Sequence, residues 1–193
     1  MTSNRGGRPR SDRAHRAILD ATRDLLAESG YDNLTIEGIA GRAGVGRPTV
    51  YRRWSSKAAI VAEAVTAGVL NTEILPLPDT GDIAADLATW WDGQIQLVRN
   101  PRVAAMVRGW ALASAESAVD ADRLYTLITG PLRQALTQRI ATAVQLGQIR
   151  SDVRLDMIAE TLFGVVLFRV LTGTTHDPAG HVIDSLLRGI ESR

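Results

Sequence analysis

Residues 35–54 read Thr35-Ile36-Glu37-Gly38-Ile39-Ala40-Gly41-Arg42-Ala43-Gly44-Val45-Gly46-Arg47-Pro48-Thr49-Val50-Tyr51-Arg52-Arg53-Trp54. Thr35 is placed to cap a short segment carrying Ile36, Ile39, Ala40 and Ala43 on one side. Gly44-Val45-Gly46 interrupts it. A second segment, Arg47 to Trp54, opens with Pro48 near its first turn, where a missing N–H does no harm. Two short amphipathic segments across a glycine-containing turn form the pattern of a helix-turn-helix. Ile39, Val45 and Val50 are spaced to hold the pair together, and Ala40 is small enough for close approach. Arg47, Thr49, Tyr51, Arg52 and Arg53 occupy the outer side of the second segment. A helix fits the major groove of B-DNA and Arg is the commonest bidentate reader of guanine, so this arginine-bearing surface points to a duplex.

The charge distribution agrees. Residues 1–60 hold ten Arg and one Lys against six acidic residues, whereas residues 61–193 hold eleven Arg against fifteen. A chain of net charge +1 is thus a basic N-terminal third on an acidic remainder, the balance of a polyanion-binding module attached to something else. At 193 residues and 45% hydrophobic, it has enough apolar content to bury a core without a staple. The absence of Cys excludes a disulfide framework and a thiol nucleophile. No apolar run reaches the ~18 residues of a membrane span. MTSNRGGRPR lacks the apolar core of a secretory signal, so a cytoplasmic protein without membrane partners is expected.

Helical periodicity runs along almost the whole chain. Ala14, Ile18, Ala21 and Leu25 recur at helical spacing, with Ser11 as a cap and Gly30 past the end, predicting a helix over 12–29. Ser56 caps a helix from Lys57 to about Asn71. Leu75-Pro76-Leu77-Pro78-Asp79-Thr80-Gly81 is a linker. Further helices are predicted at 82–99, 101–117, 120–147, 155–173 and 179–191, with Gly130-Pro131 kinking or breaking the fourth segment counted from Lys57. The fold class is all-α with about nine helices. Residues 1–56 form an N-terminal arm and helix-turn-helix domain; residues 57–193 form a linker helix and a C-terminal domain. Ahead of the first helix, Arg5-Gly6-Gly7-Arg8-Pro9-Arg10 is a flexible basic arm whose Gly-Arg-Pro-Arg core resembles an AT-hook. Arg8 and Arg10 either enter an A·T-rich minor groove or belong to a solvated tail.

The order and spacing of Gly30-Tyr31, Thr35-Ile36, Ile39-Ala40, Ala43-Gly44-Val45-Gly46, Thr49-Val50-Tyr51, Trp54 and Ser56-Lys57 resemble the TetR family of transcriptional regulators over about residues 12–60. The resemblance implies a dimeric all-α repressor whose third helix enters the major groove. It implies that Arg47, Pro48 and Arg52 face base edges, that Thr35, Thr49, Tyr51 and Lys57 approach phosphates, and that Arg53 serves either role. Two positions depart from the family pattern: Gly46 stands where Ser is frequent, removing a side-chain cap, and Ala59 stands where Glu is common, removing the partner of Ser56 in a capping box.

Residues 155–173 are apolar on more than one face, so that helix must be buried on several sides. Its Ile158, Leu162 and Val165, with Ile183, Leu186, Leu187 and Ile190 of the last helix, are expected to form a two-fold four-helix interface. The competing assignment is a monomeric core. Pairing through the last two helices is also what the family resemblance implies, and it would set two recognition helices about one turn of DNA apart, ~34–36 Å, on a palindromic site. Apolar pockets form between bundle helices, and Trp91, Gln94, Met106, Trp110, Tyr125 and Phe163 are the candidates for binding an apolar or amphipathic effector, with Arg108 or Arg169 as polar partners.

No nucleophile elbow, phosphate-cradling loop or Ser/His/Asp grouping is found. His176 and His181 are separated by a Pro/Gly loop, without the one-face geometry of helical metal ligands. Neither a metal nor another cofactor is expected, and the chain is not expected to be an enzyme. The reading is a repressor released from its operator by a small molecule. The alternatives are a regulator that activates or needs no ligand, and a helical carrier or enzyme whose basic N-terminus is incidental.

Overall fold

The computed structural model describes residues 7–70, 77–174 and 181–190, with the side chains of 7–10, 69–70 and 123–124 left aside. Its helices are α1 (Gly7–Ser29), α2 (Ile36–Ala43), α3 (Arg47–Tyr51), α4 (Lys57–Leu70), α5 (Ile83–Arg99), α6 (Pro101–Glu116), α7 (Ala118–Leu124), α8 (Gly130–Gln145), α9 (Leu155–Thr172) and α10 (His181–Ile190). A π turn, Tyr125–Thr129, fills the interval between α7 and α8. Counting 118–145 as one interrupted helix leaves nine, with no β-strand among the described residues. They belong to two compact units: Met1–Thr72 with Ala105–Leu124, and Glu73–Ala104 with Tyr125–Arg193, as far as these residues are described.

In the first unit, α1 packs on α2 and α4, and α2 on α3. Ile18, Leu26, Ile39, Val50, Ile60 and Val61 are fully buried between them, each burial stabilising by about 1.5–3 kcal/mol. Helix α1 begins at Gly7, ahead of the predicted Ser11 cap, so Gly7–Arg10 is helical rather than a flexible arm. Pro9 permits this because it falls in the first turn, where its missing N–H has no intrahelical partner to lose. Residues 1–6, Arg5 included, lie outside the described residues, as do the side chains of Arg8 and Arg10.

Arg42 of α2 forks onto Glu28 of α1 at 2.8 and 2.7 Å. The later half of α6 joins this unit because residue 109 has no side chain: a Cβ there would lie 2.9 Å from Leu26 Cδ2 and 3.6 Å from Val61 Cγ1. Tyr31, 5% exposed, donates its hydroxyl to Glu116 of α6 at 2.8 Å. Burial first, and the Glu116 carboxylate next, push that phenol well above its ordinary range.

In the second unit, α5 packs against α8, α9 and α10, and α8 against α9. Leu87, Trp91, Leu136, Ile140, Leu162 and Ile183 form the fully buried centre. Asp82 caps α5, accepting from the N–H groups of Ala84 and Ala85 at 2.9 and 3.2 Å. The disruption expected at Gly130-Pro131 takes the form of the π turn just before it. Pro131 has no N–H to give, and a Cβ at 130 would stand 2.9 Å from Tyr125 O.

Asp86 and Arg139 form a buried ion pair, with side chains 0% and 5% exposed. Asp86 Oδ2 accepts from Arg139 Nε at 2.9 Å and Nη2 at 2.6 Å, and Asp86 also accepts from Thr80 N–H and hydroxyl. Burial alone would push this carboxyl up, but the Thr80 and Arg139 donors outweigh it and hold it below the ordinary carboxylate range.

Most of the stripe expected to pair is packed within the single chain. Ile158 is 6%, Leu162 1%, Ile183 1%, Leu187 5% and Ile190 9% exposed within the single chain. They belong to the core, and only Val165 and Leu186 of the predicted set keep intermediate exposure. The face left open on α9 is Met157, Thr161, Gly164, Phe168 and Leu171. Met157, Phe168 and Leu171 are 51%, 64% and 49% exposed.

Candidate nucleic-acid interface

The helix-turn-helix is closed by local chemistry at each corner. Thr35 Oγ1 accepts from Gly38 N–H at 3.1 Å, so this hydroxyl caps α2 and retains its own proton for donation. Gly44 lies in the left-handed region at φ 66°, and Val45 N–H returns to Ala40 O at 3.0 Å, ending α2 in a Schellman-type turn. Gly46 precedes α3 without any side-chain cap, and Thr49 N–H bonds to its carbonyl at 2.9 Å. Ser56 Oγ accepts from Ala59 N–H at 3.1 Å, capping α4 without a reciprocal glutamate.

Arg47, Pro48, Tyr51, Arg52 and Arg53 are exposed, with Thr49 half-buried beside Val50, which is wholly buried. One residue therefore anchors α3 inward while its neighbours form a cationic outer surface. Three of the candidate side chains have partners within the fold. Arg47 Nη1 pairs with Glu37 of α2 at 3.0 Å, a residue the sequence reading did not single out. The backbone N–H of Glu37, followed by the Arg47 guanidinium, holds the Glu37 carboxyl below its ordinary range. Arg53 is turned back onto α1, donating to Ser11 carbonyl at 3.1 Å and to its hydroxyl. Lys57 Nζ donates to Tyr31 O at 3.0 Å and lies 4.0 Å from that ring's centroid.

The residues expected to take an effector are divided between the two units. Met106 and Trp110 lie on α6 in the first, where Trp110 Nε1 and Ser114 Oγ, one helical turn apart, are buried without a hydrogen-bond partner among the described residues. In the second, Trp91 is 1% exposed and lies 5.5 Å under the Arg169 guanidinium, while Phe163 meets Trp90 edge-on at 5.5 Å. Gln94 is half-buried on the same helix as Trp91. Tyr125, 48% exposed, is apart from these; it faces an open cleft of about 770 Å³ also lined by Arg133, Gln134, Thr137 and Gln138. Among the described residues no cluster of three metal-ligating side chains is present, and no helix is long and apolar enough to cross a membrane. His176 lies outside the described residues.

A capped helix, a left-handed glycine turn and a short helix with exposed arginines, in an all-helical chain, define a DNA-binding regulator of the helix-turn-helix class. The sequence profile described as bacterial regulatory proteins, tetR family, matches residues 18–64, and that of the tetracyclin repressor-like C-terminal domain matches residues 77–189. The chain belongs to the TetR family of transcriptional regulators. It is 30% identical over 171 residues to the HTH-type transcriptional regulator YdeS of Bacillus subtilis (strain 168), spanning 89% of this chain and 84% of that one. To the HTH-type transcriptional regulator AqdR of Rhodococcus erythropolis it is 26% identical over 164 residues, spanning 81% and 74%. The crystal structure of TetR family transcription regulator SCO0332 superposes with a TM-score of 0.61 at 29% identity, over 91% of this chain and 97% of that one. The fatty acid degradation regulator FadR from Bacillus halodurans shares the fold, with a TM-score of 0.64 at 16% identity over 90% and 92%.

Proposed function

We propose that this regulator is a cytoplasmic homodimeric repressor that occupies a palindromic operator and leaves it when a small apolar or amphipathic molecule binds; it carries out no catalysis. The exposed guanidinium surface of α3, anchored from behind by Val50 and Trp54, is the observation that carries the DNA half of this reading. Arg47, Pro48 and Arg52 face base edges; Thr35, Thr49, Tyr51 and Lys57 approach phosphates. Arg53 serves in placing α3 against α1. Arg8 and Arg10 are kept as candidates for an adjacent A·T-rich minor groove. Residues 1–56 hold the reading surface, and 57–193 the response and the pairing.

Two copies meet through the open face of α9. Met157, Thr161, Gly164, Phe168 and Leu171 follow one another at intervals of four, three, four and three, the spacing of a helix seam. Gly164 has nothing within 4 Å of its absent Cβ, leaving room for a partner helix. Val165 of α9 and Leu186 of α10, both of intermediate exposure, are kept as further candidates for the interface. The effector acts by favouring one arrangement of the linker helix over another. Trp110 Nε1 and Ser114 Oγ supply two donors for an oxygen-bearing effector beside Met106 in the first unit; Trp91, Gln94, Tyr125 and Phe163 are separate candidates within the second. Selection of bound duplexes from a random library tests the proposal: enrichment of an inverted repeat with half-sites about one helical turn apart supports it. Recovery of unenriched sequences at all salt concentrations overturns it.

A further inference from the structure

Two groups converge on one carboxylate in the first unit. Glu63 of α4 accepts from Trp54 Nε1 at 2.7 Å through Oε2 and faces His15 Nε2 of α1 at 3.1 Å through Oε1. The imidazole in turn stacks on the indole, with centroids 5.3 Å apart and planes 14° from parallel. Trp54 is 4% exposed, while Glu63 and His15 side chains are 26% and 29% exposed, so the bonds are shielded without being sealed. Trp54 N–H and Arg53 N–H both return to Val50 O, at 3.1 and 2.9 Å. The backbone leaving α3 is therefore rigidly continuous with the ring that Glu63 holds.

We propose that Glu63 is a positioning residue for DNA reading: by holding Trp54 and His15 with separate oxygens, it fixes α3 to both α1 and the linker helix α4. Helix α3 has five residues and no side-chain cap at Gly46, so its own hydrogen bonds define its orientation poorly. Apolar packing of Val50 supplies depth but no direction, whereas a charge-assisted hydrogen bond is directional. Any rotation of α4 carries Glu63 with it and turns Trp54. The contact is thus a directional link between linker helix and reading surface.

This proposal rests on the DNA-binding reading, and the wild-type chain must first show selective binding to a selected duplex; if it does not, that reading fails, not this one. The test measures affinity for the selected duplex and for a random duplex, well below the melting temperature, for Glu63→Ala, Glu63→Gln, Trp54→Phe and the Trp54→Phe/Glu63→Ala double variant. Trp54→Phe removes the N–H while keeping an aromatic anchor. Glu63→Ala and Trp54→Phe should each lose about tenfold in selective over random binding, as one lost bond to a charged group implies. The double variant should lose no more than either alone. Glu63→Gln, which keeps an acceptor for the indole, should recover most of the ratio. A residue that only stabilises the unit would move the melting temperature and leave the ratio unchanged. If Glu63→Ala does not fold, Trp54→Phe and Glu63→Gln still decide. An unchanged ratio in Trp54→Phe, or roughly hundredfold additive loss in the double variant, overturns the proposal.

Discussion

Replacing Asp86 by Asn removes one charge and alters no volume, which makes the consequence calculable. Asp86 Oδ2 takes two bonds from Arg139, and both oxygens take the Thr80 N–H, each at 3.2 Å. The amide keeps one accepting oxygen, but its nitrogen accepts nothing and must face some of these donors, and the Arg139 guanidinium, 5% exposed, is left without its buried counter-ion. The remaining carboxylate near it, Asp79 at 3.2 Å from Nε, is 71% exposed and well screened. Breaking a buried pair from one side costs about 3–5 kcal/mol, roughly a fifth or more of an ordinary domain's stability. Urea unfolding followed by helical circular dichroism should show that loss, with a melting point lower by roughly 10 °C. The Asp86→Leu/Arg139→Met double variant should regain most of it. The wild-type pair also sets an acid limit. Because the Asp86 carboxyl is held below its ordinary range, its contribution is full above the unfolded carboxylate's range and is lost as pH falls through the folded value. Asp86→Asn should flatten that acid limb. A loss under about 1 kcal/mol with an unchanged acid limb would refute the reasoning that the pair is desolvated and coupled.

Other perturbations separate the remaining parts. Phe168→Glu places a charge on the open α9 face and should shift the chain toward monomer by sedimentation while leaving its helicity intact; an unchanged dimer removes that face from the interface. Lys57→Ala should lower affinity alike for all duplexes and reduce the salt slope by about one. An effect confined to one sequence would assign Lys57 to base reading instead. Gly109→Ala forces a Cβ to 2.9 Å from Leu26 and should destabilise the first unit by about 1–3 kcal/mol in urea unfolding. Wild-type stability would mean that Leu26 yields without strain.

What the sequence makes legible is what is encoded by neighbours. Thr35 and Gly38, Gly44 and Ala40, and Ser56 and Ala59 are three to four residues apart, so cap and turn chemistry locates the starts of α2, α3 and α4 almost to the residue, though α3 ends at Tyr51 rather than Trp54. Pro9 misleads because a proline ends a helix interior but suits a first turn, and the two are indistinguishable without knowing where the helix starts. Helix α9 misleads for another reason: apolar residues on nearly every side give periodicity no face to choose, so the core stripe at Ile158 and Leu162 is interchangeable in sequence with the open stripe at Met157 and Phe168. The Asp86–Arg139 pair spans 53 residues and the Tyr31–Glu116 bond 85. Asp86 does interrupt the apolar stripe of α5 between Ile83 and Trp90, a signal that a buried partner is needed, though not which one. Glu63 has no such signal; an acid on a largely apolar helix is ordinary until Trp54 and His15 are seen at its two oxygens.

The central claim is that the guanidinium surface of α3 reads a duplex in two-fold copies. Fluorescence anisotropy with the selected inverted repeat, comparing the wild-type chain with Arg47→Ala and Arg52→Ala, measures it directly. Two chains should bind per duplex, and each substitution should lower affinity about 5- to 150-fold, equivalent to about 1–3 kcal/mol, while binding to random duplex changes little. Equal loss on both duplexes, or one chain per site, would contradict the claim.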